Sequence, residues 1–556
     1  MTTPSNANTE RGTHFDAIVI GAGFAGMYQL HLLREKLGLS VRVLEQGGGV
    51  GGTWYWNRYP GARCDTESHA YCFTFSEDLY LGWQWSERYP QQPEIVRYMN
   101  YAADKLDLRK DIQFNTRVTA AEWDEEAGLW RVETAENGTY TAPFLITGVG
   151  CLSAANVPNF PGRDSFKGQW FHTGHWPHEG VDFAGKRVGL IGTGSTGVQA
   201  TPVIAEQAQH LTVFQRTPNY SVPAHNKPLT PKFQQWAKDH FADIRDAMRA
   251  TPAGHPFFIS ERKAVETPPD ERERLLEEAW QVGGMQFRAV FGDMMLDKSA
   301  NQIVADFVTR KIREAVKDPE TAAKLTAFDH HYSTKRPIID SHYFETFNRD
   351  NVSLVDVKAA PIDKITPDGI LLADGSEHKL DIIVFATGYD GVTGPLLRLN
   401  IKGRDGVALN EAWKEGPKTY LGLQVPGFPN LFTITGPQSP SVLTNMPVAI
   451  EQHAEWIADC IAYMREQGAE RIEPEADAVQ KWGEHVQESA NATLLVTAKS
   501  SWYLGANVPG KPRVFLPYPG GMARYRGICE DVAAKGYEGF ALSRGPAATV
   551  TASAAE

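Results

Sequence analysis

Residues 15–26 read FDAIVIGAGFAG. Phe15 to Ile20 is a short apolar run that ends in Gly21-Ala-Gly23-Phe-Ala-Gly26. An apolar run of this length, closed by glycine, predicts a buried strand and a tight turn. A helical pattern follows from Tyr28 to Lys36, with Leu30, Leu33 and Leu37 on one face. Val41 to Leu44 then alternates as a strand and stops at Glu45. The same order recurs far downstream. Arg187 to Ile191 is a strand, Gly192-Thr193-Gly194-Ser195-Thr-Gly197 follows, Val198 to Ala208 reads as helix, and Leu211 to Phe214 is a second strand ending at Gln215. Two units of strand, glycine turn, helix and strand imply an α/β chain with two Rossmann-like dinucleotide-binding domains.

Each glycine in such a loop has its own task. The first allows the tight turn, the second lets backbone approach a pyrophosphate, and the third lets helix pack on strand. The helix N-terminus then faces the phosphates with its partial positive charge. Gly21, Gly23 and Gly26 serve one loop; Gly192, Gly194 and Gly197 serve the other. What ends the second strand distinguishes the nucleotides. Glu45 lies 24 positions after Gly21. A carboxylate there accepts hydrogen bonds from ribose hydroxyls and repels a 2′-phosphate, so the first unit suits FAD or NAD. Gln215 lies 23 positions after Gly192, and Arg216 follows at once. A neutral side chain beside a guanidinium suits a 2′-phosphate, so the second unit is expected to take NADP(H). A flavin and a nicotinamide on one chain imply hydride transfer between them.

The rest of the sequence bounds this reading. A chain of 556 residues exceeds a single core and implies two or three domains. A net charge of −12 argues against a nucleic-acid partner. No apolar run is long enough for a membrane span, and the polar start, Met1 to His14, has no signal-like apolar segment. A cytoplasmic location is the expectation. Cys64, Cys72, Cys151, Cys460 and Cys529 form no C-x-x-C pair, so neither a metal site nor a redox disulfide is expected. From Asn219 to His331 the chain is charged and helix-rich, as in Glu271 to Trp280 and Asn301 to Ala315. It reads as a helical insertion in the second unit. Strands return at Val352 to Leu354 and Asp381 to Phe385, and Trp456, Cys460 and Met464 fall on one face of a helix from Glu451 to Met464.

Two further runs flank the loops. The first is Gly51-Gly52-Thr53-Trp54, then Tyr59-Pro60-Gly61 and Asp65; the second is Phe166-Lys-Gly168, then His172 and Trp176-Pro177. Together they resemble the two fingerprints of the Baeyer–Villiger monooxygenases, complete and correctly spaced. The likeness continues through Lys335-Arg336, Ala386-Thr387-Gly388, Gly436-Pro437 and Ser501-Trp502. The run Gly436 to Met446 is similar to that of the phenylacetone and steroid monooxygenase group and is longer than in cyclohexanone monooxygenases.

The resemblance implies an enzyme that uses FAD, NADPH and O2 to insert one oxygen beside a ketone carbonyl, through a C4a-peroxyflavin, giving an ester or lactone. The alternative is a heteroatom monooxygenase of sulfides or amines. By resemblance Arg336 is the catalytic cation, because a guanidinium keeps its proton at working pH, and Asp65 is its carboxylate partner. Gly52, Thr53, Trp54, Arg63, Tyr71, Val118 and Met446 match positions near the cofactors; Thr193, Ser195, Arg216, Thr217 and Lys335 match the NADP site, and Trp502 a mobile loop that closes over it. His172 and Trp176 are expected to couple and pack the domains rather than to react. The expected organisation is a flexible start (1–14), an FAD domain built from 15–150 and 386–543, an NADP domain at 151–385 with its insertion at 219–331, and a flexible tail (544–556). The natural ketone and the oligomeric state are left open.

Overall fold

The computed structural model describes residues 12–544. Two parallel five-stranded sheets carry the two glycine loops. In the first, Ala17–Ile20 is central, flanked by Val41–Leu44 and Phe144–Thr147, with Ile112–Gln113 and Leu431–Thr433 at the edges. The segments AIVI, VRVL and FLIT are buried at every position. Parallel strands covered on both faces need such unbroken apolar runs, which is why these segments cannot face water. The second sheet aligns Val352–Asp356, His210–Gln215, Arg187–Ile191, Ile382–Phe385 and Gln169–His172 in that order, again all parallel. The chain therefore leaves the first sheet after Thr147, builds the second, and returns at Leu431. Each glycine loop sits at the carboxyl end of its strand, where open α/β sheets bind ligands.

The first loop opens a helix at Phe24–His31 that continues as one wide turn, Leu32–Lys36. The helix thus begins earlier than the Tyr28 start expected from leucine spacing. It packs on Met446–Gln467, whose Trp456, Cys460 and Met464 are buried. The second loop opens the helix Ser195–Gln207. The helical insertion comprises Pro231–Asp239, Phe241–Ala250, Pro269–Val282, Lys298–Ala315 and Pro319–Leu325. It is not purely helical: Ser221–Pro223 pairs in parallel with Ile338–Asp340 and closes its base. A further small sheet was not singled out from sequence. Val118–Asp124, Leu129–Thr134 and Thr139–Ala142 form an antiparallel meander, with Ile401–Lys402 on its edge.

The expected flexible start ends short of residue 14. Thr141 N donates to Thr13 O at 2.8 Å, and Phe15 N donates to Thr141 O at 3.0 Å, so the meander captures this stretch. The remainder of that expectation, residues 1–11, and the tail 545–556 lie outside the described residues. Among the described residues no helix is long and apolar enough to cross a membrane. All five cysteines are buried and unbridged.

Candidate active site

The first loop is shaped by close backbone contact. Gly21 has φ +100°, and a Cβ there would lie 2.7 Å from the Gly148 carbonyl oxygen. A Cβ on Gly26 would lie 1.8 Å from Gly21 O, so only glycine lets this helix sit on its strand. Gly52, at φ +53°, faces Gly23 so closely that its Cβ would be 2.9 Å from Gly23 Cα. The two glycine runs therefore form one backbone cradle. Glu45 closes it: its oxygens accept from Ala22 N at 2.7 Å and Gly47 N at 2.6 Å. Burial raises its pKa, opposed by these two N–H donors. One bond per oxygen leaves acceptor capacity for ribose hydroxyls. Trp54 is buried behind the cradle, donating Nε1 to Tyr71 Oη at 3.0 Å, and its carbonyl accepts from Gln92. Val118 is buried beside Ile20 and Leu44. Met446 opens the long helix, and Thr53 is exposed.

The second loop repeats the logic. Gly192 has φ +117° with a Cβ position 2.4 Å from Ala386 O, and a Cβ on Gly197 would lie 2.1 Å from Gly192 O. A Cβ on Gly194 would meet nothing within 4 Å. Its backbone thus faces open space at the start of the Ser195–Gln207 helix, as a pyrophosphate cradle requires. Thr193 Oγ1 donates to Thr217 O at 2.9 Å and ties the loop to the segment carrying Arg216. Arg216 is exposed, whereas Lys335 is half-buried 3.6 Å from Asp329, which also meets Lys358 at 3.8 Å. Burial lowers the Lys335 pKa, Asp329 opposes this, and Arg216 and Lys358 lower it further. Such crowding of cations is relieved by an anion, which fits a 2′-phosphate. The Gln215 side chain turns to another partner. It is buried and donates to Lys324 O at 2.9 Å, so the neutral group expected at the phosphate instead packs into the helical insertion.

Asp65 and Arg336 meet although 271 positions apart. Arg336 Nη2 donates to Oδ1 at 2.9 Å and Oδ2 at 2.8 Å, its Nε to Oδ2 at 3.2 Å, and its Nη1 to Val442 O at 2.7 Å. Burial alone would lower the Arg336 pKa; the Asp65 charge and hydrogen bonds outweigh it and raise it. The cation is fixed in place and in charge. Apolar groups stand beside it: Val442, Leu443, Met446, Trp502 and Tyr503 belong to one cluster with Cys151. Trp502 lies against Gly391, whose Cβ would be 2.8 Å from the indole.

The fingerprints hold the two halves together. A Cβ on Gly61 (φ +79°) would lie 2.4 Å from Gln199 O, so Tyr59-Pro60-Gly61 rests directly on the helix after the second loop. Tyr59 Oη donates to Gln199 Oε1 at 2.8 Å, and Gln199 Nε2 donates to Arg63 O at 3.1 Å. Sequence reading passed over Gln199; its place one turn into the second glycine helix was the available signal. His172 is buried, its Nδ1 accepting from Gly174 N at 3.0 Å. Its ring stands edge-on to Tyr389, which hydrogen-bonds Asn57 of the first half. Burial, then His175, lowers the His172 pKa to about 4, so it is neutral at ordinary pH.

Residues 16–224 match the family model described as flavin-binding monooxygenase-like. A Baeyer–Villiger monooxygenase of Pseudooceanicola batsensis is 46% identical over 96% of this chain and 97% of its own length. The chain belongs to the Baeyer–Villiger monooxygenases. An oxidised steroid monooxygenase bound to NADP superposes with TM-score 0.91 at 48% identity, covering 96% of this chain and 100% of the other. A structure of OTEMO with FAD and NADP gives TM-score 0.90 at 44% identity, covering 95% and 99%. This Baeyer–Villiger monooxygenase is accordingly an enzyme of FAD and NADP.

Proposed function

We propose that the Asp65–Arg336 pair is the reacting centre of this monooxygenase and that its substrate is a ketone, converted to an ester or lactone at the expense of one NADPH and O2. The observation that supports it is the three-bond fork between Arg336 and Asp65, anchored from behind by the Val442 carbonyl. When bound, the two cofactors supply the hydride and the activated oxygen. The protein's part is electrostatic and positional. Arg336 holds a permanent positive charge where negative charge develops, and its orientation is set in advance, which is where such a charge has most effect. The apolar cluster of Val442, Leu443, Met446 and Trp502 covers part of that charge and limits the water that reaches it. The Gly21–Gly26 and Gly51–Gly52 cradle with Glu45, Trp54 and Tyr71 would hold FAD; Gly192–Gly197, Arg216, Thr217 and Lys335 would hold NADP, with Trp502 covering it.

The test is a panel of linear, aromatic, macrocyclic and steroidal ketones scored by ester product. NADPH oxidation that yields only hydrogen peroxide with every ketone would overturn the reading. Arg336→Ala is expected to keep NADPH-driven flavin reduction and lose ester formation. A substrate bearing both a ketone and a thioether reports the preference directly, since ester and sulfoxide are separable products.

A further inference from the structure

Arg288 sits on the short turn Met285–Ala289, inside the helical insertion. It is half-buried, and its Nε is buried with no hydrogen-bond partner. It forms no salt bridge among the described residues, in contrast to Arg336 nearby, which has Asp65. A buried N–H donor is expected to be paired. The hydroxyl of Tyr332, fully buried and within the field of Arg288, also lacks a partner. Two orphaned donors of this kind call for one acceptor that carries negative charge. Arg336 and Arg288 both lie within electrostatic reach of the Tyr503 phenol, so the second cation is a neighbour of the Arg336 site. The cations grouped about Lys335 are Arg216 and Lys358, with Asp329 opposing them. The apolar cluster of Leu443, Met446 and Trp502 meets, through Met295, the core around Phe287 and Tyr332, next to Arg288 in sequence and fold.

We propose that Arg288, assisted by Tyr332, binds the carboxylate of the substrate, so that this monooxygenase takes keto acids, with the ketone carbonyl at Arg336 and an apolar spacer between. This rests on the ketone reading above. A planar guanidinium with free N–H groups matches a carboxylate in a way that a neutral polar residue would not. The anion need not be carried by the cofactor, because the second glycine loop and Lys335 already answer its phosphates.

The test uses the holoenzyme with 6-oxoheptanoate and its methyl ester, in wild type, Arg288→Met and Arg288→Lys. Wild type is expected to favour the acid. Arg288→Met is expected to lose about tenfold to a hundredfold in kcat/KM for the acid, through KM, with the ester little changed. Arg288→Lys should recover part of the loss. Equilibrium titration of the acid, read by flavin absorbance, should show the same drop in affinity without turnover. Equal acid affinity in wild type and Arg288→Met overturns the proposal, as does a matched loss for acid and ester. Weakened NADP⁺ binding in Arg288→Met also overturns it, by assigning the cation to the cofactor. If the acid binds through Arg288 yet neither compound gives an ester product, the ketone reading has failed and the anion site stands.

Discussion

Asp65→Ala removes three of the four hydrogen bonds that fix Arg336 and leaves only the one to Val442 O. Truncating one member of a fully buried pair costs roughly 3–5 kcal/mol, because the other charge is left uncompensated. Here the side chains are 27% and 21% exposed, so water screens part of the loss and the low end, about 3 kcal/mol, applies. If the whole of that is lost from the positioning of the cation during reaction, the rate of ester formation falls by about 10²-fold. A guanidinium displaced by about 1 Å gives a penalty of similar size. The assay separates the half-reactions. Anaerobic stopped-flow follows flavin reduction by NADPH, and product chromatography follows ester while peroxide is counted. The expected variant reduces flavin within about threefold of wild type, makes about a hundredth of the ester, and releases the balance as hydrogen peroxide. Ester formation near the wild-type rate would show that the fork positions nothing. An equal fall in both half-reactions would make the pair a structural clamp between domains.

Gly61→Ala places a Cβ 2.4 Å from Gln199 O at φ +79°, a strained conformation and a backbone collision together, and should lower both thermal resistance and the flavin-reduction rate. Wild-type values for both would mean that the Tyr59–Gly61 contact with the second glycine helix is slack. Glu451, buried and accepting from Thr74 and Phe75, has its pKa raised by burial to about 7, opposed by the Thr74 bonds. The folded protein therefore holds a proton that the unfolded chain releases near 4.5; this contribution is complete below 4.5 and is lost as pH rises through 7, on the order of 3 kcal/mol. Denaturation midpoints of wild type against Glu451→Gln from pH 5 to 8 should diverge in slope, and parallel curves would refute the assignment. Trp502→Ala, which empties the contact with Gly391, should raise KM for NADPH severalfold and leave FAD content unchanged. His172→Gln should leave the pH profile of flavin reduction unaltered in shape, because a ring with its pKa near 4 has no proton to lose above pH 5.

What could be read from the chain without its fold follows from how local each constraint is. The glycine loops were legible because the collisions they avoid, Gly26 on Gly21 and Gly197 on Gly192, arise between residues only five positions apart. The strands were legible because burial on both faces demands unbroken apolar runs. The direction of the Gln215 side chain was not legible because it is decided by a partner, the Lys324 carbonyl, 109 positions away. The meander was missed because its strands alternate, as in Leu129–Thr134, and carry weak signals singly. Asp65 and Arg336 gave no sign of each other without the family resemblance, since nothing in either neighbourhood specifies a contact over 271 positions. Arg288 and Gln199 are of the same kind: each is a common residue whose meaning lies in what the fold sets beside it.

Consecutive residues on one segment turn to different partners. Lys335 turns to Asp329 and the cations expected to read a 2′-phosphate, while Arg336 turns to Asp65. A single peptide unit is stiff, with only two soft dihedrals on either side. A backbone shift at Lys335 therefore also moves the backbone that aims Arg336. From the other side, Asp65 is four residues beyond Gly61, which is seated on the helix of the second loop through Gln199. The fork is thus suspended between two segments that both report on the NADP-facing unit, one through its phosphate end and one through its helix. A ligand held by the NADP-facing unit would bear on both segments that aim Arg336. On that logic NADP⁺ should protect the 61–65 segment and the 335–336 segment from hydrogen exchange together, and protection of one without the other would break the argument.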